Sequence, residues 1–254
     1  MKLSLDRLNR MKKGLFIVVD GLDGIGKGVF LDALVQEAKK AGKRVFDIHA
    51  FWKQHNYHPS PDDIIGKYDL VVTSEPTFVG IGSIIRQELV VKNGRHYSPQ
   101  AVAQAYALDR HILYEQLLLP LLTAGITILQ SRSFSTSLVY QRQSALDAGR
   151  EFSAAEILLL PGNAFCLRHP MDFLIIPTIP DVDEIMKRLQ RREKDDNCVF
   201  ENLDFQLRLK KQYESDEFRN LFTSLGVNVL YVDAGVSIEH SQQQARDFYR
   251  QHLA

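Results

Sequence analysis

The apolar run Phe16-Ile17-Val18-Val19 leads into Gly21-x-x-x-x-Gly26-Lys27, after which Phe30, Leu31, Leu34, Val35 and Ala38 recur at helical spacing until Gly42. A strand, a glycine-rich turn and a helix in that order leave few folds open. The glycines let backbone N–H groups turn inward on phosphate oxygens, the helix N-terminus adds partial positive charge, and the lysine ammonium reaches the outer phosphates. The pattern predicts a triphosphate cradle made of Gly21, Gly24, Ile25, Gly26, Lys27, Gly28 and Val29. One position departs from it. Where a Ser or Thr hydroxyl usually helps to hold Mg²⁺, this chain has Gly28, and Val29 follows without a hydroxyl. No residue is assigned as a metal ligand.

Five further strand-like runs fall at residues 44–48, 70–73, 126–130, 173–176 and 227–232, most of them short and apolar as buried parallel strands are. They alternate with helix-length segments. Ser98-Pro99 opens a long helix through Glu115, and Asp181 opens another to about Lys194. The expected fold is α/β, a three-layer P-loop NTPase type with a parallel central sheet flanked by helices. A single domain is expected over 14–254, preceded by a basic arm at 1–13. Residues 51–68 read as an insertion between two strands.

Lys plus Arg total 31 and Asp plus Glu total 31, so no net charge draws the chain to nucleic acid or membrane, and any anion site must be local. No apolar run approaches the ~20 residues of a membrane span. Two cysteines, Cys166 and Cys198, match no metal spacing and cannot staple a chain of 254 residues, which points to a reducing compartment, the cytoplasm.

Further motifs follow in order. They are Thr73-Ser74-Glu75-Pro76 at a strand end, Tyr106-Ala107-Leu108-Asp109-Arg110 on the long helix, Gln130-Ser131-Arg132-Ser133 leading to Ser137, Tyr140 and Gln141, and the basic segment Arg188 to Lys194. Tyr106 and Arg110 are four apart and share a helix face, where a ring can stack on a base while a guanidinium donates to its carbonyl edge. Taken alone, the same pair reads equally well as a core aromatic and a surface ion-pair partner. With the phosphate loop, these motifs resemble the thymidylate kinase family of nucleoside monophosphate kinases over nearly the whole chain after the arm.

The resemblance implies an ATP-dependent kinase that phosphorylates dTMP to dTDP, with ATP and Mg²⁺ as cofactors and a homodimer as the assembly. It places Asp23 by the acceptor sugar, Glu75, Tyr106, Arg110, Ser137, Tyr140 and Gln141 around the acceptor, and Arg132 at the phosphate shared by donor and acceptor. Residues 190–200 become a lid, with Arg191 and Arg192 neutralising the transferring group and Arg192 also covering adenine. Lys27, Arg132, Arg191 and Arg192 are then the catalytic set. Three family positions are changed: Gly28, Ser74 for an arginine, and Ser131 for an acid. A catalytically impaired nucleotide-binding protein and a deoxynucleoside kinase are the alternative functions.

Overall fold

The computed structural model describes residues 14–185, 200 and 202–254. The arm at 1–13 and most of the expected lid, including Arg188, Arg191 and Arg192, lie outside them.

Six parallel strands form one sheet: β1 (Phe16–Val19), β2 (Val45–Asp47), β3 (Leu70–Ser74), β4 (Thr127–Ser131), β5 (Phe173–Thr178) and β6 (Asn228–Asp233), in the order β2-β3-β4-β1-β5-β6. Each matches an expected run to within a few residues. Side chains alternate between the two faces. Ile17, Val19, Leu129 and Ile175 pack under α1 (Lys27–Lys40) and under a C-terminal helix, Ile238–His252. Phe16, Val18, Ile128, Leu174 and Ile176 face the larger core on the other side. That is the three-layer arrangement expected.

Between β2 and β3, the short helix α2 (Ile48–Trp52) starts directly from the strand, and the expected insertion is held by rings: Phe51 stacks on His55 at 4.1 Å and Trp52 is buried. After β3 come α3 (Gly80–Ile84) and the long helix α4 (Pro99–Leu113). The Ser98 hydroxyl accepts from the Ala101 amide at 3.2 Å, the expected cap. A wide π turn, Tyr114–Leu118, follows α4 and lies just before Pro120, which has no N–H to continue the helical pattern, and α5 (Leu119–Thr123) leads into β4. The helices α6 (Phe134–Asp147), α7 (Ala154–Leu159) and α8 (Pro161–Leu167) separate β4 from β5. Then α9 (Leu203–Tyr213) and α10 (Asp216–Ser224) precede β6, and α11 is the C-terminal helix.

Helix α8 comes against α4 because Gly162 has no side chain: a Cβ there would stand 1.8 Å from the Ala107 carbonyl oxygen. That approach brings the neighbouring Asn163 to Arg110 of α4. Gly162→Ala should destabilise the fold by about 1–3 kcal/mol or more through overpacking. Urea unfolding midpoints measure this, and an unchanged midpoint would show that the helices separate freely.

Candidate active site

The phosphate loop connects β1 to α1 at the carboxyl edge of the sheet, where ligands of open α/β sheets bind. Gly21, Gly24 and Gly26 have φ of 135°, 76° and 105°, values that side-chain-bearing residues rarely take. The Lys27 ammonium folds over the loop and donates to the carbonyls of Gly21 (3.1 Å) and Leu22 (2.6 Å). A Cβ built on Gly26 or Gly28 would meet nothing within 4 Å, so the cradle is open there. Ile25 is buried beneath it and Val29 is half-buried.

Just before the loop, Asp20 is fully buried. Its carboxylate accepts from the Gly21 amide (2.7 Å), from Ser135 and Thr136 (2.8 Å) at the start of α6, and from Tyr213 (3.1 Å) of α9. Arg132 lies 3.7 Å away. Its own φ is +69°, the one left-handed non-glycine among the described residues, a conformation that costs about 1–3 kcal/mol. That turn aims the guanidinium at the loop, where it donates to Asp23 and to the Gly21 carbonyl at 3.4 Å and lies 5.0 Å over the Tyr140 ring. Burial opposes its charge, but Asp23 and Asp20 prevail and hold its pKa well above the ordinary arginine value. The Tyr140 hydroxyl donates to Asp23 at 3.1 Å, and its ring packs edge-on to Phe200.

A second network lies beside the first. Glu75, 2% exposed, accepts from Arg110 Nε at 2.6 Å and from the Gln130 amide at 2.9 Å. Arg110 is 1% exposed and also donates to Asn163 and, at 3.3 Å, to Ser137. The surface ion-pair alternative for Arg110 is thereby set aside. Tyr106 is buried with Ile85, Val90 and Val102. Gln141 follows Ser137 by one turn of α6; it is buried, and its Oε1 has no partner among the described residues. The structure therefore brings Glu75, Arg110 and Ser137 into one network and joins Asp23, Arg132 and Tyr140 in another.

Several polar residues here were assigned no role from the sequence. Asp20 has the most legible signal, a carboxylate following an apolar strand before a glycine. Gln130 stands within a motif segment without an assigned role, and Asn163 has no signal. Arg86, on the turn after α3, donates to the carbonyl oxygens of Pro76 (2.6 and 3.0 Å) and Thr77 (3.1 Å) and stacks 3.8 Å over Phe78, next to Glu75 in the chain.

The family model for thymidylate kinase matches residues 66–245. The chain belongs to the thymidylate kinase family. It is 29% identical over 225 residues to the thymidylate kinase of Clavibacter sepedonicus, covering 87% of this chain and 88% of that one. The thymidylate kinase of Halalkalibacterium halodurans is 26% identical over 245 residues, covering 96% and 100%. Among solved structures, the thymidylate kinase of Candida albicans superposes with a TM-score of 0.60 at 17% identity, covering 94% of this chain and 92% of that one, which supports the fold. No helix among the described residues is long and apolar enough to cross a membrane.

Within this family member, burial pushes the Glu75 carboxyl up to about 7; Arg110 opposes the rise and Asp109 adds to it. The unfolded chain releases this proton near the ordinary carboxyl value of about 4.5, the folded chain only near about 7, so the folded state binds more protons between them. Stability from this group is full below about 4.5 and is lost as pH rises through about 7. Urea unfolding of the wild type and Glu75→Gln across this range should show the wild type losing ground relative to the variant as pH rises. Parallel pH profiles would contradict the burial argument.

Proposed function

We propose that this chain transfers the terminal phosphoryl group of ATP to dTMP. The observation that carries the acceptor reading is the buried Gln141 amide oxygen, which has no partner among the described residues. A pyrimidine N3–H satisfies such an acceptor, and an unmet buried polar atom costs about 1–3 kcal/mol. Ser137 lies on the same helix face and is held by Arg110, while Tyr106 supplies the ring proposed to stack on the base.

ATP fits the loop, whose space above Gly26 and Gly28 is open. Lys27 leaves its two carbonyl partners for the outer phosphates, and Arg132, already charged and aimed at the loop, lies between donor and acceptor. Mg²⁺ is a different case. Among the described residues no cluster of three His, Cys, Asp or Glu can hold a metal, and the Asp20 oxygens are taken by hydroxyls. We assign the ion to the triphosphate as part of the substrate and give no side chain a coordinating role. Arg191 and Arg192 are proposed to neutralise the transferring group, with Arg192 over adenine. Family membership supports the homodimer and the cytoplasmic setting.

Catalysis in this account is positioning plus charge neutralisation, as in phosphoryl transfer generally. The Asp23–Arg132 pair is formed although Gly28, Ser74 and Ser131 differ from the family pattern, which favours an active enzyme over an impaired one.

Calorimetry tests the two halves separately. Lys27→Ala should weaken ATP at least about tenfold and leave dTMP binding unchanged. The wild type should prefer dTMP to dAMP at least about tenfold, and Gln141→Ala should narrow that ratio, because specificity that rests on a buried polar group disappears with it. Equal affinity of the wild type for dTMP and dAMP would overturn the acceptor assignment.

A further inference from the structure

Strand β2 ends in Asp47, and the chain turns at once into α2, so His49 is delivered to the carboxyl end of the neighbouring strand β3. Asp47 Oδ1 caps the turn by accepting from the His49 amide at 2.9 Å and lies 2.7 Å from His49 Nδ1. The other ring nitrogen, Nε2, is 2.8 Å from Ser74 Oγ. Carboxylate, imidazole and hydroxyl thus form a continuous chain that ends at the sheet edge. Ser74, 7% exposed, pairs in register with Ser131, and the next residue, Glu75, donates its amide to the Ser131 carbonyl at 2.9 Å. Arg132 follows immediately. The hydroxyl therefore sits one strand over from the guanidinium assigned to the transferring phosphate.

The proton positions along this chain decide what Ser74 presents. Asp47 accepts the Nδ1 proton in either charge state of the ring. With a neutral ring, Nε2 is bare, the Ser74 hydroxyl donates its proton to it, and lone pairs are left facing outward. With a protonated ring, Nε2–H donates to Ser74 Oγ, and the hydroxyl proton is released to point at an anion. Only the second state suits a phosphate. The ring is walled edge-on by Trp52 (5.6 Å) and Phe78 (5.7 Å), with His58 beyond Trp52 and Arg86 beyond Phe78. Asp47 also interacts electrostatically with Asp32 and Lys53. Trp52 is itself buried, with its indole Nε1 lacking a partner among the described residues.

We propose that Ser74 donates to the acceptor phosphate and that His49 is its positioning residue, taking up a proton as the phosphate binds. This rests on the monophosphate kinase reading above and supplies it with a phosphate contact. Calorimetry in mildly alkaline buffer tests it with dTMP, thymidine and ATP on the wild type, Ser74→Ala, His49→Phe and His49→Gln, each checked by thermal melt. Ser74→Ala and His49→Phe should each weaken dTMP about tenfold or more while thymidine and ATP bind within about twofold of wild type. His49→Gln keeps a donor to Ser74 without titrating, so it should retain part of the dTMP affinity. Repeating the titrations in buffers of different ionisation enthalpy should show net proton uptake on dTMP binding in the wild type and less in both His49 variants. Equal losses for thymidine and dTMP, unchanged dTMP affinity, or no difference in proton uptake would overturn the proposal. A wild type that binds ATP but neither dTMP nor thymidine would instead fail the kinase reading, and this contact with it.

Discussion

The Asp20 carboxylate holds the site together. It is fully buried and gathers donors from the phosphate loop, from α6 and from α9. A buried carboxylate is stable only when its oxygens are met, and deleting one partner of such a cluster typically costs about 3–5 kcal/mol. The same cluster draws Arg132 into range, so its left-handed backbone is maintained by contacts with Asp20, Asp23, Gly21 and the Tyr140 ring. Strain kept in this way is usual where a side chain must be aimed before substrate arrives.

Glu75, Arg110, Ser137 and Asn163 do for the second network what Asp20 does for the first. Strand β3 and helices α4, α6 and α8 are joined through one guanidinium, and the close approach at Gly162 makes this possible. Two of the three positions that depart from the family pattern, Ser74 and Ser131, face each other across β3 and β4. At Ser74, where the resemblance implies an arginine, the hydroxyl is hydrogen-bonded to the His49 imidazole.

Strands were legible because a buried parallel strand has to be a short apolar run, and all six runs in the sequence became strands. The loop was legible because its glycines serve a backbone conformation that few other residues adopt. Side-chain networks were less visible. Asn163 meets Arg110 across 53 residues of chain, and His49 meets Ser74 across 25; no local spacing records such pairings, because they depend on which strands become neighbours. Helix periodicity correctly placed Tyr106 and Arg110 on one helix, but it could not show that Arg110 would be consumed by buried partners. Residues 51–68 read as an insertion between two strands, and the first of them, Phe51 and Trp52, lie in α2, the helix that brings His49 to Ser74.

The central claim is that Arg132, positioned by Asp20 and Asp23, carries phosphoryl transfer between bound ATP and dTMP. Its most direct test is single-turnover formation of dTDP with both substrates saturating, in the wild type and in Arg132→Lys. The wild type should form dTDP and the variant should lose about 10²–10³ in rate, since a lysine keeps the charge but not the planar fork. Formation of dTDP at equal rates in both proteins, or none from a wild type that binds both nucleotides, would contradict it.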